Sequence, residues 1–153
     1  MRQSKDLLEA IYDKLYADTT LQGYVKKWYK GPYGAVSQFP FVSIWETSGP
    51  SIDPQTIGAT GHDEYLYNYT VEAAIKNLAG DIAYWGNDST PGIMDLKDDL
   101  ISVLWCNRVD RKFSKPLRVA NCTIGMGESN GNYIYAVSIE LEGTVRVQRT
   151  SCE

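Results

Sequence analysis

Residues 64–76, EYLYNYTVEAAIK, decide the fold class. Tyr65, Tyr67, Tyr69, Val71, Ala73 and Ile75 recur at every second position. A period of two places them on one face of an extended strand, whereas a helix would scatter them around its axis. Aromatic and β-branched side chains suit such a half-buried pleated surface. The segment 39–46, FPFVSIWE, reads as a second strand with apolar groups on both faces. Between the two lies TSGPSIDPQTIGATGHD, residues 47–63, with three glycines and two prolines. A loop of that length is uncommon inside a compact domain and is usually functional or mobile. Strand, loop and strand together predict an extended β-hairpin.

The flanks of this hairpin read as helices and further strands. Over 4–18 the apolar residues Leu7, Leu8, Ile11 and Leu15 fall within one helical arc, with Glu9 and Asp13 opposite. Ser4 is the expected N-cap, Asp6 and Glu9 suit the positive end of the helix dipole, and Thr19-Thr20 ends the periodicity. Residues 24–30, YVKKWYK, suggest a short strand before the turn signals Gly31-Pro32 and Gly34, and 77–92 read as irregular. Thr90-Pro91 then predicts the N-cap and first position of a second helix. Its buried face would carry Ile93, Leu96, Leu100, Val103 and Leu104, with Asn107 as C-cap. Residues 117–126 and 133–148 predict two more strands around a Gly/Asn turn at 127–132, with Gly143 as a bulge. The expected architecture is α+β in the order α-(β)-β-β-α-β-β: one largely antiparallel or mixed sheet of four to five strands, flanked by two main helices.

Composition bounds the function. The chain has 153 residues, 43% of them hydrophobic and 22% charged, which predicts a single domain spanning 1–153 rather than disorder. The longest apolar run is too short for a membrane span, and the first residues lack the apolar core of a signal peptide. A soluble intracellular protein is the expectation. A net charge of −4 argues against a chain whose main task is gripping nucleic acid. The three cysteines, Cys106, Cys122 and Cys152, show no paired spacing, and a single histidine cannot complete a zinc site with them.

Few constellations suggest chemistry. His62-Asp63-Glu64 is the one place where imidazole meets carboxylates, as a general base or a small hydrolase would need. Adjacent residues of an extended chain point to opposite faces, however, so a polar loop end explains them. Asp95, Asp98 and Asp99 could face a hard cation, yet a solvated helix face accounts for them. Lys26, Lys27 and Lys30 interleave with Tyr24, Trp28, Tyr29 and Tyr33; Arg108, Arg111, Lys112, Lys115 and Arg118 surround Phe113. Positive grooves with stacking rings bind single strands, whereas a charged edge strand also guards against aggregation. Serine elbows, phosphate loops and dinucleotide fingerprints are absent, and neither an enzyme nor a cofactor is expected.

The layout resembles the tail terminator and tail completion proteins of long-tailed bacteriophages. The matching stretches are LYADTTLQGYV (15–25), FPFVSIWET (39–47), YLYNYTVEAAIK (65–76), GIMDLKDDLISVL (92–104), VANCTIGMGES (119–129) and YIYAVSIELEGTVRV (133–147). The pattern these stretches mark out spans nearly the whole chain, as element order and hydrophobic texture rather than a diagnostic motif. The resemblance implies a non-enzymatic virion protein, made in the host cytoplasm, that forms a ring, typically a hexamer. Such a ring caps the tail tube, joins it to the head-proximal neck, and lets DNA pass through its lumen. The loop 47–63 corresponds by position to one that contacts neighbouring rings in this family.

Ring formation needs two different surface patches, because only a heterologous contact repeated by rotation closes. Trp28, Tyr29, Tyr65, Tyr67, Trp85, Tyr133 and Tyr135 are the candidate anchors, since large amphipathic rings concentrate interface energy; packing on the helices is the competing explanation for each. Arg108, Arg111, Lys112, Lys115 and Arg118 are the candidate DNA-facing residues. Head-closure and tail-tube roles remain as structural alternatives. An aromatic-rich module for a glycan or a single strand is the alternative from another class.

Overall fold

The Tyr-rich stretch forms the middle of a sheet whose rows run straight from edge to edge. The computed structural model describes residues 3–52, 62–105 and 107–148. In chain order the elements are α1 (Gln3–Tyr16), α2 (Thr19–Tyr24), β1 (Lys27–Lys30), β2 (Phe41–Ile52), β3 (His62–Asn77), α3 (Gly80–Trp85), α4 (Ile93–Leu104), β4 (Arg118–Ser129) and β5 (Asn132–Gln148). The protein is α+β, with one mixed five-stranded sheet in the order β1-β2-β3-β5-β4. β1 pairs parallel with β2, and every other pairing is antiparallel. The row Trp28–Val42–Ala73–Val137–Ile124 crosses all five strands, as does Lys30–Ile44–Val71–Ile139–Cys122 two residues along.

One face of the sheet carries the helices. Tyr67, Tyr69, Val71, Ala73 and Ile75 of β3 lie on it, beside Val137, Ile139 and Leu141 of β5. Leu7, Ile11 and Leu15 of α1 close one half; Ile93, Leu96, Leu100 and Leu104 of α4 close the other. Each such side chain gains about 1.5–3 kcal/mol on full burial, so these stripes anchor both helices. The opposite face is more polar. There the segment 31–40 folds back over Phe41 and Ser43: Ser43 Oγ donates to the Gly31 carbonyl at 2.7 Å, and Tyr33 OH donates to Glu72.

Several boundaries differ from the sequence-based expectation, each for a local reason. Ser4 lies inside the first turn of α1 rather than capping it. Thr19-Thr20 opens α2 instead of ending the helical stretch, because Asp18 Oδ2 accepts from Leu21 N at 3.0 Å and caps the new turn. The expected loop 47–63 is largely strand at its two ends, since β2 continues to Ile52 and β3 begins at His62. Beyond Ile44 the outer side of β2 has no neighbour among the described residues, so Pro50 removes no ladder bond there, and two register shifts absorb the Gly and Pro residues. Residues 53–61 of that loop lie outside the described residues, as do Cys106 and Cys152.

The region 77–92 is not wholly irregular, because it contains α3. Gly92, not Thr90, is the N-cap of α4, and Asp95 Oδ2 accepts from Gly92 N at 2.9 Å. Pro91 bridges to Gly86, and a Cβ at Gly92 would come within 2.3 Å of Gly86 N, so that crossing requires glycine. Trp105 is the C-cap of α4. Asn107 still satisfies the helix end by donating to the Val103 carbonyl at 3.0 Å. The turn between β4 and β5 is two residues, Asn130 and Gly131, both at positive φ, rather than the six expected at 127–132. Gly143 is not a bulge: the β3–β5 register runs through it unbroken. The bulge lies at Ala120, between the pairs Val119–Leu141 and Asn121–Glu140.

Candidate assembly surface

The expected aromatic anchors separate into three environments. Tyr67 belongs to the core: it is 2% exposed, its ring lies 6.5 Å from that of Tyr69, and its hydroxyl donates to Gln3 Oε1 at 3.0 Å. It cannot present its ring to a neighbour, because the same alternation that placed it on a strand placed it under α1. Burial raises the pKa of its phenol, with Glu46 adding to the shift. Tyr65, two residues toward the strand end, is half-buried against the same core.

Trp28 and Tyr29 lie on opposite faces of β1, at the edge of the sheet. The Trp28 ring meets Tyr16 at 5.5 Å and Tyr12 at 6.1 Å, both edge-on, with its indole nitrogen buried and without a partner among the described residues. Tyr29 joins Tyr33 and Phe41 on the other face, with centroids 5.9 and 6.0 Å away. The lysines flanking them fold back onto rings: Lys30 Nζ lies 4.6 Å from the Tyr12 centroid and Lys27 Nζ 5.7 Å from that of Tyr29.

The third group is an apolar ridge at the hairpin end of the sheet. α3 seats Gly80 against the Tyr133 ring, where a Cβ would make ordinary contact at 3.4 Å. Its Tyr84 ring meets Tyr135 at 5.4 Å and Trp85 at 5.0 Å. Tyr135 pairs across the ladder with Met126, and Ile124 follows on the same face. Trp85 is 66% exposed, Met126 64% and Ile124 36%. Tyr84, Met126 and Ile124 were not singled out from the sequence. The Asn-Gly pair was the available signal, since a two-residue turn puts Met126 in a strand directly opposite Tyr135.

The expected basic cluster is dispersed. Lys115 Nζ lies 2.8 Å from Glu64 Oε2, Arg146 binds the other oxygen of that carboxylate at 3.4 Å, and Arg118 contacts Glu142 at 3.3 Å. The Lys115 hydrogen bond leads in holding the Glu64 carboxyl below the ordinary glutamate range, with Arg146 adding and burial opposing. Arg108 donates to the Ser114 carbonyl. Arg111 and Lys112 are exposed, on a turn where Val109, Asp110 and Arg111 all take positive φ. Such a run is strained for L-residues; it is held by Asn107 Oδ1, which accepts from Val109 N at 2.7 Å, and by the buried Val109 and Phe113 side chains.

The other constellations do not converge. Glu64 is committed to Lys115 and Arg146, and the His62 side chain lies outside the described residues. Asp95 caps α4, Asp98 pairs with Lys97 at 3.5 Å, and Asp99 accepts from Tyr24 OH at 2.6 Å. Among the described residues no His, Cys, Asp or Glu group could hold a metal ion. Nor is any described helix long and apolar enough to cross a membrane. Cys122 is half-buried in β4, and desolvation raises its thiol pKa. No protein-family model matches this sequence, and no curated protein matches it either.

Proposed function

We propose that the chain is a non-enzymatic virion assembly subunit of the tail-terminator kind. It forms a ring that caps a tail tube and joins it to the neck, with itself, the tube and neck proteins as partners and DNA passing through without sequence-specific contact. The observation that carries this reading is the exposed apolar ridge Trp85–Tyr84–Tyr135–Met126, built on a rigid sheet end beside an open edge strand. Exposed apolar groups rimmed by polar ones mark interaction sites, and a ridge suits a protein contact better than a small ligand, which needs a concave pocket. The element order of the resemblance supports the same role. The dispersal of the basic cluster favours contact between proteins over a grip on nucleic acid.

Light scattering across a concentration range, with negative-stain imaging, tests the reading. The expected result is a mass of several copies, near six, with rings in the images. A monomer at every concentration with no particles would shift the reading to a head-closure or stand-alone role. A glycan or single-strand module is less favoured, because Tyr29, Tyr33, Phe39 and Phe41 already pack edge-on or tilted against one another. Tryptophan fluorescence that responds to oligonucleotides or oligosaccharides would revive it.

A further inference from the structure

β4 is a twelve-residue edge strand whose outer side has no partner among the described residues. It contains no Lys and no Pro, two of the usual guards of such an edge, and its bulge at Ala120 and its charges Arg118 and Glu128 lie outside the span 122–126. Which of its peptide groups face outward follows from the turn: Ser129 and Asn132 are the first and last residues of a β-turn and bond to each other. Alternation then directs the main-chain groups of Cys122, Ile124 and Met126 away from β5. At the other edge, Lys27 N and Gly31 N donate to the Pro40 and Ile44 carbonyls of the β2 side, at 3.3 and 2.7 Å. The peptide groups of Trp28 and Lys30 therefore face outward.

From these placements we infer that the β1 edge of one copy pairs antiparallel with the β4 edge of the next, so that the sheet continues from subunit to subunit. This rests on the assembly reading above and specifies its contact. Three conditions are met at once. β1 and β4 run in opposite senses across the sheet, so head-to-tail addition is antiparallel. Continuing the straight rows puts Trp28 opposite the next copy's Ile124 and Lys30 opposite its Cys122, and in both pairs the outward groups meet. Finally, all four side chains lie on the helix face, so the helical layers remain on one side.

The occupant is a second copy of this chain on grounds of charge and cover. Lys26, just before β1, comes a diagonal step from Glu128, and long side chains reach across such a step. Lys27 and Lys30 are drawn onto Tyr29 and Tyr12, so neither ammonium blunts the edge. The pairing brings the exposed Tyr16, which packs on Trp28, to the side where Ile124 and Met126 stand exposed.

Directed disulfide formation tests the contact. Lys30→Cys is combined with native Cys122 in a chain carrying Cys106→Ser and Cys152→Ser. Opposed residues of a hydrogen-bonded antiparallel pair have Cα atoms about 5.5 Å apart, inside disulfide range. Mild oxidation should give a reducible ladder of dimers, trimers and higher species, absent when Cys122→Ser is added. Thermal unfolding of the reduced variant should match that of the parent. A multi-copy mass by light scattering without any ladder would overturn the edge pairing and leave the assembly reading standing. A monomer with no ladder would remove both. A covalent dimer from Ile124→Cys in a Cys122→Ser background would overturn it too, by placing β4 against β4.

Discussion

Gly143 sits opposite Tyr67 in the β3–β5 ladder, and a Cβ there would lie 2.3 Å from the buried ring of Phe113. The glycine is a seat for that ring, which in turn stands edge-on to Tyr69 at 6.1 Å. Gly143→Ala should therefore lower stability by about 1–3 kcal/mol, as overpacking does. Denaturant unfolding measures this, and adding Phe113→Leu should recover part of the loss. Glu64 makes a pH-dependent case. Its folded pKa is lowered, so its ion-pair contribution is present above the ordinary value of 4.5 and is lost as pH falls through the lower folded value. The Tm gap between the protein and Glu64→Gln should be steady at neutral pH and should close below pH 4.5. A gap that persists in acid would show that packing, not charge, sets the Glu64 contribution.

Long elements with one strong period were readable from the chain; short or context-held ones were not. β3 followed from its alternation, while α1 and α4 followed from their apolar stripes. α3 is six residues, too short to show a period, and its cap Ala79 makes no side-chain bond that a sequence pattern could reveal. β2 runs past Pro50 only because its outer neighbour ends at Lys30, a fact of sheet order rather than of sequence. Of the candidate surface, Trp85, Tyr133 and Tyr135 were visible as exposed-type aromatics. Met126 and Ile124 fell within the expected strand 117–126, but treating 127–132 as one wide turn hid the register that sets Met126 opposite Tyr135. α4 offers an element-scale prediction. Asp95 accepts from the backbone N–H of the N-cap, and Asp95→Ala should cost about 0.5–2 kcal/mol, read as a lower Tm by circular dichroism. Tyr67→Ala belongs here as well: it removes a buried ring from under α1 and should cost about 3–5 kcal/mol of folding stability.

At the scale of the molecule, most of the large apolar side chains left exposed among the described residues gather at the hairpin end and the sheet edges, with Trp105 apart from them at the end of α4, whereas both main helices have their stripes covered. Trp85→Ala and Met126→Ser should accordingly leave Tm nearly unchanged, within about 0.5 kcal/mol, while reducing the fraction of multi-copy species in sedimentation velocity. Equal loss of Tm and assembly would mean that the ridge is part of the fold rather than a contact. The strand order has a further consequence, which concerns synthesis. β5 is the last of the described strands, yet it lies between β3 and β4, matching Tyr69 with Leu141 and Ile124 with Val137. Until it has left the ribosome, β3 has an open flank and β4 has no neighbour at all. Until then the growing chain carries Tyr69, Val71 and the stripe of α4 without their final cover. Closure then comes late and involves partners distant in sequence, which makes folding slow and favours a single concerted step. Fragments ending before residue 132 should be insoluble rather than partly folded.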